Sequence, residues 1–123
     1  MRRFLIKDDN VPSPTNEYAI LSYDEDDDKY TITIPDSVNP DDLPAIPGIL
    51  AREGIREIED KWARRFVKER VVPPDRQNIG MILREVGMDY YREFPLLIYT
   101  SGRCCMDDFY LEEIIEDSKN KNK

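Results

Sequence analysis

Residues 17–34 decide the fold of this chain, and they read EYAILSY, DEDDDK and YTITI in succession. The first and last pieces are rich in β-branched and aromatic residues, and residues 30–34 alternate regularly, as a half-buried strand does. The middle piece contains only charged residues, which suits a solvated turn. We therefore expect an antiparallel hairpin with strands at residues 17–23 and 30–34.

A further strand is expected on the N-terminal side of this hairpin. Residues 2–7 read RRFLIK, and the following loop, residues 8–16, contains Pro12 and Pro14. Together the three strands predict a small antiparallel sheet within residues ~2–35. Its apolar face is expected to consist of Leu5, Ile20, Ile32 and Ile34.

The chain changes character after Pro35. Asn39 suits an N-cap, and Pro40 suits the first helical position. Two aspartates, Asp41 and Asp42, follow in the first turn, where negative charge is favourable. A short helix should therefore start here.

A longer helix is predicted from about Pro47 to Val71. Four apolar residues recur in it at i, i+3, i+7 and i+11, which is the spacing of a stripe that faces a core. They are Ile55, Ile58, Trp62 and Phe66. Gly54 is a candidate break in this helix, and two consecutive prolines at 73–74 end it.

A second amphipathic helix is predicted between an N-cap at Asp75 and a left-handed C-cap at Gly87. Its core-facing residues are Ile79, Ile82, Leu83 and Val86. Asp89 is then expected to cap a short helix that reaches Phe94. Residues 95–100 fit either a buried strand or another helix, since periodicity does not separate the two in so short an apolar run.

The C-terminal part of the chain is predicted to end in a helix. Residues 101–102, Ser-Gly, mark a turn, and either Asp107 or Asp108 is expected to cap a helix that reaches Glu116. Residues 117–123 are polar and are expected to be disordered.

These elements predict a single α+β domain over residues 1–116, in which three to five helices pack on the small sheet. A chain of 123 residues has an ordinary length for one domain, and its halves would be too short for a dependable core. No apolar run approaches the roughly 20 residues that span a bilayer. The N-terminus also does not resemble an export signal. We therefore expect a cytoplasmic protein without membrane association.

Charge is distributed unevenly along the sequence. The chain contains 18 Lys and Arg against 26 Asp and Glu, a net charge of −8. Residues 52–76 nevertheless hold eight basic and six acidic residues, whereas residues 1–50 hold four basic and eleven acidic ones. Positive charge is thus concentrated in one predicted helical segment.

This segregation, together with the lack of a catalytic signature, predicts a non-enzymatic interaction or regulatory protein whose partner is another protein. The chain has no histidine and no recognisable phosphate-binding, dinucleotide-binding or serine-nucleophile motif. The basic partner-binding surface is expected at Lys61, Arg64, Arg65, Lys68 and Arg76. The acidic surface is expected at Asp24, Asp26, Asp27 and Asp28. A plainer interpretation of the basic helix is a solvated face with i,i+4 ion pairs such as Glu57–Lys61.

Two alternatives stay open. The basic segment 61–76 is also compatible with nucleic-acid binding, because its arginines would contact phosphates. The other alternative is a small cysteine-dependent enzyme centred on Cys104 and Cys105, with Arg103 and Asp107 beside them. Without a histidine, such an enzyme would lack the usual Cys–His pair.

The acidic loop is a poor metal site. Asp24, Asp26 and Asp28 occupy the first, third and fifth places of an EF-hand-type loop. The sixth place should be glycine and is Lys29, and the twelfth should be glutamate and is Pro35. We therefore expect neither a bound metal nor another cofactor.

Overall fold

A five-stranded antiparallel sheet and four α-helices make up the described part of the chain, which confirms the α+β class. The computed structural model describes residues 1–11, 17–105 and 107–115. The strands are β1 (Arg2–Asp8), β2 (Glu17–Asp24), β3 (Lys29–Thr33), β4 (Glu57–Ile58) and β5 (Phe109–Glu113). The helices are α1 (Ala45–Arg52), α2 (Asp60–Lys68), α3 (Ile79–Val86) and α4 (Glu93–Thr100). The strands lie in the order β4-β3-β2-β1-β5.

The predicted hairpin is confirmed. Strands β2 and β3 pair antiparallel, with Tyr23 opposite Tyr30. The Asp24 carboxylate accepts hydrogen bonds from the backbone N–H groups of Asp26 and Asp27 at 3.0 and 3.3 Å. Such local side-chain bonds make a run of aspartates compatible with a tight turn.

The buried face of the sheet differs from the predicted one in its first two strands. Leu5 and Ile20 lie opposite each other in β1 and β2, and both stay partly exposed. The core face of these strands is formed by the alternate residues Phe4, Ile6, Ala19 and Leu21. Because β1 contains three consecutive apolar residues, the alternation did not determine which face is buried. Ile32 and Ile34 are buried as expected.

The prediction of one long helix over residues 47–71 is wrong. The chain forms α1 and α2 instead, with the short strand β4 between them. Gly54 follows α1 with φ +87°, a left-handed conformation that suits glycine and ends a helix. Strand β4 then pairs with β3, where Ile58 lies opposite Ile32.

The predicted core stripe of that helix is therefore only half correct. Ile58 and Phe66 are buried, but Ile55 is 42% exposed and Trp62 is 38% exposed. The spacing of the stripe assumed one continuous helix, and the residues before α2 do not follow a helical repeat. The exposure of Trp62 becomes important for the candidate site.

The polar start of the helical half is as predicted, but α3 is shorter than expected. A 3₁₀ turn at Pro40–Asp42 is capped by Asn39, whose side-chain oxygen accepts the N–H of Asp41 at 3.0 Å. Helix α3 begins at Ile79, not directly after Asp75, and Gly87 ends it in the left-handed conformation. Three of its apolar residues pack partly against the core, namely Ile82, Leu83 and Val86.

Residues 95–100, which fitted either a strand or a helix, belong to helix α4. The short helix expected from Asp89 to Phe94 is absent, since α4 begins only at Glu93. Pro95 is the third residue of α4, where an N–H group has no partner within the helix. Leu97 is fully buried, so α4 is one of the helices that complete the core.

The helix predicted after Asp107 or Asp108 is also wrong, because this segment forms β5. Leu111 lies opposite Ile6 of β1 and is buried. The aromatic pair Phe109–Tyr110 favours a strand, and pairing with the free edge of β1 supplies the backbone hydrogen bonds. Residues 117–123, predicted to be disordered, lie outside the described residues.

The sheet and helices bury one continuous apolar cluster. It includes Leu21 and Ile32 of the sheet, Phe66 and Val67 of α2, and Leu97 of α4. Within the described ranges, no helix is long and apolar enough to cross a lipid bilayer.

Candidate interaction surface on helix α2 and the adjoining groove

Arg64 of α2 contacts carboxylates of the β2–β3 turn (the acidic turn, residues 24–29), of α2 itself and of α4. Its guanidinium lies 3.2 Å from Asp60, 3.1 Å from Glu93 and 3.7 Å from Asp28. It also lies over the ring of Tyr30, 4.9 Å from the centroid. Only 24% of the Arg64 side chain is exposed. The structure thus brings two sequence-predicted residues of opposite charge, Arg64 and Asp28, into contact with each other.

The protonation of this cluster reflects the same contacts. Burial alone would raise the pKa of Asp60, but hydrogen bonds from the Tyr30 N–H (2.8 Å) and from Arg64 outweigh it and lower that pKa. Burial opposes the charge of Arg64, and its carboxylate partners nevertheless raise its pKa. Both groups are therefore held in their charged forms.

The acidic turn has one strongly engaged residue and several free ones. Asp28 accepts a hydrogen bond from the Tyr23 hydroxyl at 2.7 Å. Burial and this bond raise the pKa of Tyr23 to about 12. The carboxylate of Asp24 is used inside the turn, whereas Asp26 and Asp27 are exposed. Asp26 and Asp27 are therefore available to an outside partner, as is the exposed Glu25 beside them.

The exposed face of α2 consists of Lys61, Trp62, Arg65 and Lys68. The three cations are spaced at i, i+4 and i+7, so they share one side of the helix. The Lys61 ammonium lies 5.4 Å from the Trp62 ring, and the Arg65 guanidinium lies 5.3 Å from it. The Trp62 ring is thus held at the surface between two cations.

The remaining basic residues of the segment have different positions. Arg76 is exposed in the connection between α2 and α3. Arg70 is buried, and its guanidinium reaches the Asp107 carboxylate at 2.5 Å and the Gly102 carbonyl oxygen at 3.0 Å. The sequence identified Arg70 only as one more charge, because nothing in its spacing signals burial.

Arg70 bonds to Gly102 and Asp107, which lie on either side of the two cysteines in the sequence. Cys104 is half-buried, with its sulfur 3.9 Å from an oxygen of Asp107, while Cys105 is exposed. Arg103 pairs with Asp9 at 3.2 Å and lies over the ring of Tyr110. The Asp107 carboxylate is already engaged by Arg70 and by the Phe109 N–H. Across the residues described, no group of three metal-ligating side chains comes together.

A groove of about 930 Å³ opens beside the exposed face of α2. Its walls are the β2–β3 turn, the C-terminal half of α2 and the segment from the end of α3 to α4. Its lining includes Arg2, Glu25, Lys68, Met88, Arg92 and Tyr99. The stacked rings of Tyr23 and Phe94, 4.0 Å apart, support its base.

No protein-family model, curated protein or solved structure matches this chain. Two candidate surfaces stand out among the described residues, the exposed face of α2 and the groove. Lys68 belongs to both, so the two form one continuous surface.

Proposed function

We propose that this protein is a non-enzymatic interaction domain that binds an acidic region of a partner protein through the exposed face of α2. The observation that supports this most directly is the position of Trp62, 38% exposed between Lys61 and Arg65. Tryptophan and arginine are the residues most enriched among those that dominate binding energy at protein interfaces.

The geometry of this face favours binding without large rearrangement. Each cation–π contact at an exposed site contributes about 0.5–1 kcal/mol, so the two contacts restrict the Trp62 ring before a partner arrives. The helix below is anchored by the buried residues Ala63, Phe66 and Val67. A rigid aromatic side chain on a fixed helix loses little conformational entropy on binding.

Charge provides the selectivity for an acidic partner. The chain as a whole has a net charge of −8, which repels acidic proteins at long range. Lys61, Arg65 and Lys68 are a local exception to it. Because like-charged surfaces disfavour other docking geometries, an acidic partner would be directed to this helix.

The proposal is tested with affinity capture of tagged protein from lysate, read by quantitative mass spectrometry. The test variant is Lys61→Glu combined with Arg65→Glu, and Trp62→Ser is its uncharged counterpart. Arg52→Glu combined with Arg84→Glu is the matched control, since both arginines are exposed outside this face and the net charge changes equally. We expect a stoichiometric protein partner that both test variants lose and the control retains. A partner set that all variants retain would contradict the proposal.

Nucleic acid is the second candidate, because a surface tryptophan flanked by cations is also able to stack on an unpaired base. Nuclease treatment of the captured material separates the two. A protein partner that persists after nuclease treatment supports the interaction domain. Loss of all partners with nuclease, together with a steep fall in oligonucleotide affinity between about 50 and 200 mM salt, supports nucleic acid.

A further inference from the structure

The groove beside α2 combines an apolar wall with exposed positive charge. Val86, Met88 and Ile98 line its helical side, and Tyr99, 58% exposed, stands at its edge. An exposed aromatic and several aliphatic side chains in one concave surface are typical of a site that receives a side chain of a partner.

Most of the carboxylates in the groove are already neutralised. Asp28 pairs with Arg64, and Glu93 lies 3.1 Å from Arg64 and 3.4 Å from Lys68. Arg2 is committed to Glu113, with two hydrogen bonds of 2.9 Å.

Two cations of the lining, Lys68 and Arg92, remain accessible to a ligand. Over the described ranges, Arg92 has no carboxylate within ion-pairing distance and lies 5.5 Å from the Tyr90 ring. The Lys68 side chain is 63% exposed despite its contact with Glu93. Glu25 at the β2–β3 turn is the one acid of the lining without such a pair in the described residues. The pKa of Arg2 is raised chiefly by its hydrogen bond with Glu113 and to a smaller extent by the charge of Glu25. Arg92 and Lys68 are therefore placed to receive carboxylates of a ligand.

We infer that this groove binds a short acidic peptide segment of a protein partner. One aromatic or large aliphatic side chain of the segment packs between Met88 and Tyr99. Neighbouring carboxylates of the segment pair with Lys68 and Arg92. The inference rests on the proposed function, since it names the part of an acidic partner that continues from the exposed face of α2 into the groove.

A peptide fits the groove better than a compact small molecule. The groove volume of about 930 Å³ lies within the roughly 300–1,000 Å³ of ligand pockets, so the mixed lining and not the size favours a peptide. The lining combines the charged groups of Lys68 and Arg92 with the apolar groups of Val86, Met88 and Ile98. A peptide offers alternating side chains to such a surface, and its charged residues are able to stay partly hydrated.

The test uses a fluorescein-labelled peptide with a central phenylalanine flanked by glutamates, titrated with the full chain and read by fluorescence anisotropy. One control peptide has lysine in place of glutamate, and another has serine in place of phenylalanine. We expect saturable binding of the first peptide only, weakening as salt rises. In a parallel ¹H–¹⁵N titration, shifts should concentrate on Met88, Arg92 and Tyr99. Absence of saturable binding, or shifts confined to other surfaces, would overturn the inference.

Variants on the groove sharpen this result. Lys68→Glu combined with Arg92→Glu should weaken peptide binding by about tenfold or more. The matched control, Arg52→Glu combined with Arg84→Glu, should leave it within about twofold. Equal binding to both variants would overturn the inference, as would a single-stranded RNA oligonucleotide that displaces the peptide at lower concentration.

The outcome also separates this inference from the proposed function. If Lys61→Glu and Arg65→Glu abolish partner capture but no peptide binds in the groove, the proposed function is supported and the inference about the groove is rejected. If the peptide binds in the groove but those two substitutions do not change partner capture, the groove is supported as a peptide site. The exposed face of α2 is then rejected as the partner-binding surface.

Discussion

At the scale of single residues, Arg70 closes one edge of the sheet. Strand β5 pairs with β1 on one side, and on its other side the Phe109 carbonyl accepts from Arg70 at 3.3 Å while the Leu111 N–H donates to Ser101 at 2.7 Å. Uncovered strand edges invite pairing with other chains. A buried guanidinium and a tight turn thus cover the edge that β5 would otherwise present.

The cost of removing Arg70 should be correspondingly large. Arg70→Met keeps apolar volume over the Phe66 ring. It removes the cation that pairs with the Asp107 carboxylate, which keeps its bond from the Phe109 N–H, and it removes the side-chain donor of the Gly102 carbonyl. We expect a loss of about 3 kcal/mol in the free energy of unfolding, measured from urea transitions. Arg84→Met, an exposed control, should stay within about 0.5 kcal/mol. A loss for Arg70→Met no larger than that of the control would show that the buried contacts contribute little.

The raised pKa of Tyr23 predicts that the free energy of unfolding depends on pH in the alkaline range. Its folded-state pKa is about 12, raised from 10.0 chiefly by burial and also by Asp28. A group whose pKa is raised on folding contributes stability that is fully present below the unfolded pKa and is lost as pH rises through the folded pKa. The free energy of unfolding should therefore fall between about pH 10 and 12. Burial raises the pKa of Tyr30 as well, in the same direction.

Tyr23→Phe isolates this contribution. The substitution keeps a ring against Phe94 and removes the hydroxyl that donates a hydrogen bond to Asp28. The free energy of unfolding at neutral pH should therefore fall by about 1 kcal/mol. The fall in stability at alkaline pH should become shallower than in the unchanged chain. Urea transitions measured on both sides of pH 10 provide the comparison, and an identical alkaline slope in both proteins would contradict the assignment to Tyr23.

At the scale of elements, local patterns predicted the N-terminal hairpin well, because both strands are rich in β-branched and aromatic residues and the turn between them is fully charged. They failed where pairing with a distant strand decided the outcome. Residues 57–58 have a helical neighbourhood in sequence, yet Ile58 is needed opposite Ile32 at the edge of β3. Similarly, residues 109–113 became a strand because β1 had a free edge. Long-range pairing of this kind overrides propensity and leaves no periodic signal.

The candidate site shows the same division. The cations of α2 were found from the sequence, because charge and helical spacing are local properties. The sequence placed Trp62 in the core, but the buried residues of α2 are Ala63, Phe66 and Val67. Trp62 lies at the margin of that face and is 38% exposed. The groove was not predicted at all, because it forms where Lys68 of α2 lies near Met88 and Arg92 of the connection between α3 and α4.

At the scale of the whole molecule, the free energy of local opening is expected to decrease from the central strands of the sheet toward the groove. Strands β1 and β2 each pair on both sides, and their core residues Ile6 and Leu21 are fully buried. Helix α3 has no buried residue in its described length, although its end supplies one wall of the groove. Segments with few buried apolar contacts open at lower free energy than the core of the same domain.

Native-state hydrogen exchange in rising urea tests this gradient. Amides of β1 and β2 should exchange only through global unfolding, whereas those of α3 should exchange through a separate opening of smaller free energy. The acidic peptide used for the groove should slow exchange in α3, because a ligand that binds only the closed form stabilises it by mass action. Exchange of α3 at the global free energy would contradict the gradient. Slower exchange with the lysine-containing control peptide would show that the protection does not depend on carboxylates reaching Lys68 and Arg92.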